Sequence, residues 1–175
     1  MNHIRATPFH CVVASLIAAL ACVASAQAQG NACQVLTDAV VKQLQTPHHG
    51  TMTTTIDGKV RRSEFITTAS TRYLLVGDKW TSHPIDVKKE ADETAAAMKA
   101  RSQTCQRLGE ETLAGQAATV YAVHSNDADS DSKVWIGNAS GLVLGQDMNL
   151  DDAGKPKRNG TSIRYDYVNV QPPKM

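Results

Sequence analysis

The chain has 175 residues, 18 Lys and Arg against 17 Asp and Glu, and a formal charge of +1. That surplus is too small to neutralise a run of phosphates, which argues against a nucleic-acid partner. Four cysteines and a hydrophobic share of 42% suit an exported chain that can bury one core.

Residues 1–28 read as a leader rather than as part of the fold. Arg5 stands near the start, an apolar run covers Cys11 to Val23, and small residues follow from Ala24 to Gln29. This is the charged, apolar and small-residue order of a secretory signal peptide, with cuts expected after Ala26 or Ala28. A membrane anchor would need a longer apolar run. A lipid on Cys22 would want a leucine three positions earlier, where Ala19 stands. Cutting after Ala28 leaves 147 residues with 17 acidic and 17 basic side chains, read as one domain over 29–175. Of the cysteines, Cys33 and Cys105 remain, and a disulfide between them is the simplest use of two cysteines in an exported chain. It would close a loop of 73 residues, worth about 4 kcal/mol in chain-entropy models.

Asn31 to Gln45 predicts a helix, because Leu36, Val40 and Leu44 recur every four residues. Pro47 ends it, and His48-His49 fall in an expected loop. From Gly50 the period changes to two, with Met52, Thr54 and Ile56 alternating against threonines, which favours a strand. Asp57-Gly58 predicts a tight hairpin turn. The return strand is expected over Val60 to Ala69, a third over Arg72 to Val76, and Gly77-Asp78 turns the chain into Lys79 to Thr81. Asp86 can cap a helix reaching about Ser102. Its inward stripe is Val87, Ala91, Ala95 and Met98, so it either covers a sheet face or acts as a lid. Further strands are expected over Cys105–Thr112, Gln116–Ser125, Lys133–Gly137 and Leu142–Met148. A polar loop covers Asp151 to Gly160, and Thr161 to Val170 closes the sheet.

The polar clusters announce no chemistry. Asp127 to Asp131 has alternating carboxylates, but Ser132 and Asn138 stand where a calcium loop needs glycine and glutamate. A solvated hairpin loop or a weak cation site remain as readings. The mature histidines His48, His49, His83 and His124 have no metal-ligand spacing. Ser140 lies in a hairpin turn rather than in a nucleophile elbow. No catalytic residue, metal or cofactor is expected, and the reading is non-enzymatic. A histidine found against a buried carboxylate would revive an enzyme.

Three segments carry a family resemblance. The run GEETLAGQAATVY from Gly109 to Tyr121 resembles a strand pair of the LolA-like lipoprotein-carrier superfamily. KVWIGNASGLVL from Lys133 to Leu144 is similar to that superfamily's hairpin, and YDYVNV from Tyr165 to Val170 to its closing strand. The resemblance spans roughly Asn31 to Pro172. It implies an α+β fold, a curved antiparallel β-sheet (half-barrel) covered on its concave face by two or so helices, with a hydrophobic cavity between them. It also implies a periplasmic carrier of a lipid or acylated protein ligand, or an envelope sensor or protein-interaction module with a filled core. The expected cavity residues are Met52, Ile56, Phe65, Tyr73, Leu75, Trp80, Met98, Tyr121 and Trp135. Trp135, with Val134 and Ile136 beside it, reads first as a packed sheet residue and second as a pocket wall, because period-two patterning does not say which face is which.

Overall fold

The structure, a computed structural model, describes residues 31–151, 154 and 156–174. The expected leader lies outside the described residues. Helix α1 occupies residues 31–44. Strands β1 (His48–Ile56), β2 (Lys59–Thr67), β3 (Thr71–Val76) and β4 (Lys79–Pro84) form a meander. Helix α2 (Val87–Ala100) follows, then β5 (Gln103–Leu113), β6 (Gln116–Ser125), β7 (Ser130–Gly137), β8 (Val143–Leu150) and β9 (Pro156–Asp166). All nine strands join one curved, unclosed antiparallel sheet in the order β4-β3-β2-β1-β9-β8-β7-β6-β5. It is the α+β half-barrel that the resemblance implies.

Local chemistry explains the element ends. Asp57 and Gly58 both take positive φ, 50° and 76°, as the two-residue turn requires. Asp86 caps α2 by accepting from the Lys89 amide at 3.0 Å. Two expectations are corrected. His48 and His49 begin β1 instead of sitting in a loop, because Pro47 bars helix in the preceding residue but leaves the next free to pair. The last strand starts at Pro156 and ends at Asp166. A proline is tolerated as the first residue of a strand.

Residues facing each other across antiparallel strands point to one side of the sheet, so the register assigns the faces. Ala32, Leu36 and Ala39 of α1 pack on Cys105, Tyr121, Val134, Ile136 and Val143. The Cys33–Cys105 disulfide ties α1 to β5, with the Cα atoms 5.2 Å apart. On this same face the Arg72 guanidinium reaches Glu90 of α2 at 2.7 Å. Both helices therefore cover one face. The opposite face holds a smaller cluster of Ala118, Val120, Trp135 and Leu144. Lys133 and Arg164 lie over the Trp135 ring, at 4.8 and 5.0 Å from its centre. Glu111 accepts from the Trp135 indole at 2.8 Å and from Lys133 at 2.7 Å. These two hydrogen bonds, that from Lys133 first, hold the Glu111 carboxyl below its usual range. Trp135 is thus dry under a charged lattice.

Candidate ligand cleft

Between the two helices and the sheet lies an open cleft of ≈ 680 Å³. Leu36 and Val40 of α1 form one wall, and Thr94, Ala97 and Met98 of α2, with Arg101 at its C-terminal cap, form the other. Val123, Val134 and Met148 supply an apolar floor, joined by Ser130, Ser132, Gln146 and Thr161. Gln103, Ser125, Asp127, Ala128 and Asn149 complete the lining. A second opening of ≈ 430 Å³ between α1 and α2 shares Met98, Arg101 and Gln103.

The cleft exists because the helix-facing positions change size along β7. Ile136 and Val134 fill the space under α1, whereas Ser132 and Ser130, further along the same face, do not. The side chains of α2 over this region are short as well, Thr94 and Ala97. Away from the cleft the space is filled. His48 is buried and touches Phe65, Tyr165 and Tyr167 edge-on or tilted, with ring centres 5.6 to 6.1 Å apart. Its Nδ1 donates to the Thr46 carbonyl at 2.7 Å. Burial lowers the His48 pKa, and nearby Arg72 adds to that. Burial likewise raises the pKa of the Tyr165 and Tyr167 phenols.

The structure distributes the nine expected cavity residues over both faces. Met98 lines the cleft. Tyr121 lies in the core packed under α1. Met52, Ile56 and Phe65 share the helix-covered face by register but stand on β1 and β2, away from the cleft lining. Tyr73, Leu75 and Trp80 pair into the opposite face, as does Trp135. Of the lining residues absent from the expected set, the large apolar ones are Leu36, Val40, Val123, Val134 and Met148. A signal for them was present: an apolar helix stripe facing strands whose inward positions turn from Ile and Val to Ser.

The other polar clusters are ordinary surface chemistry. His124 reaches Asp131 at 2.9 Å, but both side chains are only half-buried, so this is not a histidine held against a buried carboxylate. His49 reaches Glu64 at 3.2 Å, also at the surface. Asp127 accepts from the Ser102 amide at 3.3 Å. The Ser140 hydroxyl accepts from the Leu142 amide at 3.2 Å inside its hairpin turn. Among the described residues, no three His, Cys, Asp or Glu side chains are grouped to hold a metal ion. No helix among them is long and apolar enough to cross a membrane.

No protein-family model matches the chain, and no curated protein does. Solved structures do. MucB, crystallised in complex with MucA(peri), superposes with a TM-score of 0.53 and 18% identity over 77% of this chain and 53% of that one. The MucA/MucB complex of Pseudomonas aeruginosa gives 0.50 and 15%, over 77% and 55%. The Mycobacterium tuberculosis lipoprotein LppX gives 0.50 and 10%, over 81% and 99%. The chain spans about half the length of MucB. The likeness establishes the LolA-like fold, and a disulfide in so small a domain fits an oxidising, extracytoplasmic compartment.

Proposed function

We propose that the protein is a periplasmic binding protein that shields the acyl chain of a lipid or lipoprotein in the cleft between α1, α2 and the sheet. The observation that carries this reading is the apolar floor of the cleft, Val123, Val134 and Met148, left open beneath two helices. Its volume falls within the roughly 300–1,000 Å³ of small-molecule sites. Burial of acyl surface drives binding at about 25 cal/mol per Å². Arg101, Gln103 and Asn149 supply the polar groups for a headgroup or an ester at the mouth. Export through a cleaved leader over residues 1–28 belongs to this reading, and chemistry on the ligand does not.

The test is uptake of a soluble fluorescent fatty acid by the exported protein, together with native mass spectrometry of material taken from the periplasm. A co-purifying acyl species or saturable uptake is expected. Met98→Lys, which places a charge in the wall, should weaken uptake at least tenfold, because burying an unpaired ammonium is costly. A clean mass with no uptake would sink the reading. A second reading, an envelope protein-interaction module, draws on the MucB–MucA complexes. It predicts no acyl uptake and a protein bound instead.

A further inference from the structure

Two hairpin tips on the rim of the sheet that borders the cleft expose aliphatic side chains next to cations. β1 and β3 run toward one rim of the sheet, and β2 and β4 run back from it. The turns at Asp57-Gly58 and Gly77-Asp78 therefore lie on the same rim. The β6–β7 turn at 126–129, which borders the cleft, lies there too. At the tips, Ile56, Val60 and Val76 are 45%, 69% and 63% exposed. They stand among Lys59, Arg61, Arg62 and Lys79, none of which makes an ion pair among the described residues, and these four cations against Asp57 and Asp78 leave the two tips net positive.

We infer that this rim docks on an anionic lipid surface, with the aliphatic tips entering the interface and the four cations meeting lipid phosphates. The inference rests in part on the shielding reading, since docking would bring the cleft mouth to a bilayer. The pairing pattern favours lipid over a protein partner. The β2–β3 ladder covers only Phe65–Thr67 against Arg72–Leu74, so the outer half of the β1–β2 hairpin stands clear of β3. The exposed aliphatics sit on two separate tips rather than in one continuous patch. Isolated aliphatics beside cations enter a fluid interface one by one, whereas a protein interface wants a packed apolar centre. Charge also sets an orientation. Asp127, Asp129 and Asp131 stand in and after the β6–β7 turn, so the cationic tips make the first contact and the cleft-bordering turn lies beside the surface without pairing to lipid phosphates.

The test is co-sedimentation of the exported protein, freed of its leader, with vesicles of phosphatidylcholine and phosphatidylglycerol, against phosphatidylcholine alone. Binding to the mixed vesicles only, released by high salt, is expected. The double variant Arg61→Gln, Arg62→Gln should lose roughly twenty-five-fold in partitioning, at about fivefold per cation. Ile56→Ser with Val60→Ser should weaken binding at low salt and leave the steepness of its salt dependence unchanged. All four positions are exposed, and unchanged melting of each variant checks the fold. Uptake of the soluble fluorescent fatty acid should be unaffected by either variant. If the wild-type protein ignores the mixed vesicles yet takes up the fatty acid, docking falls and the shielding reading stands. If it docks without uptake, docking stands and the shielding reading falls. Binding to poly-glutamate that the arginine variant loses, with both vesicle types ignored, would assign the tips to an acidic protein segment and overturn the proposal.

Discussion

At the scale of single residues, His48 is the clearest source of pH dependence. It is neutral in the fold: Nδ1 donates to the Thr46 carbonyl, and the Gln43 amide lies 3.5 Å from Nε2. Burial holds its pKa below the ordinary 6.5. The unfolded chain therefore takes up a proton at a pH where the native chain does not. Stability from this site is complete above about pH 6.5 and falls as pH drops toward the lowered native value. Thermal melting across that range should show a declining midpoint, and His48→Gln should flatten this part of the profile; an unchanged slope would remove His48 as its source. Beside it, Gly50 faces Phe65 across the β1–β2 ladder. A methyl group at Gly50 would fall inside the Phe65 ring, so the bare backbone there is what lets the ring lie flat on the sheet. Neither feature was legible in the sequence. A histidine after a proline reads as loop, and a glycine before threonine-rich alternation reads as a strand boundary.

At the scale of elements, the disulfide is the strongest single tie. Cys105 is buried and joins β5 to the first turns of α1 across 72 positions of sequence. Cys33→Ala with Cys105→Ala should lower stability by about 4 kcal/mol and the melting midpoint by roughly 10 °C. Equal melting of the variant and the parent would refute that. Helix α2 is tied more lightly, by Ala91, which is fully buried, and by the Arg72–Glu90 pair, which is partly solvated and worth about 1 kcal/mol or less. The elements themselves could be read from local chemistry: Asp57-Gly58 for a turn, Asp86 for a cap, the four-residue spacing of Leu36 and Val40 for a helix. What could not be read was which side of each strand meets the helices. Tyr73, Leu75 and Trp80 alternate as cleanly as their neighbours do, and only pairing with β1 and β2 sets their side. Hydrophobic size was a poor guide to the cleft for the same reason. It is bordered by Ser130 and Ser132, whose smallness leaves the space.

At the scale of the whole molecule, the covered face is packed in one region and open in another. Tyr121, Ile136 and Val143 close the part under α1, and the cleft opens beyond them, bordered by the β6–β7 turn and the end of α2. One end of the sheet thereby carries both the cleft and the exposed cationic tips. The order of strands has a consequence in time. The sheet consists of two sequential meanders, β1–β4 and β5–β9, which meet only where β9 lies beside β1. At that seam Thr54 faces Thr161, 107 positions later. Loop closure over such a distance is slow compared with hairpin formation. An emerging chain can therefore assemble its first meander early, but the seam must wait for the last strand. Until then β1 has one free edge, open to pairing with another chain. Pulsed hydrogen exchange during refolding should show the β1–β2 amides protected before those of β9.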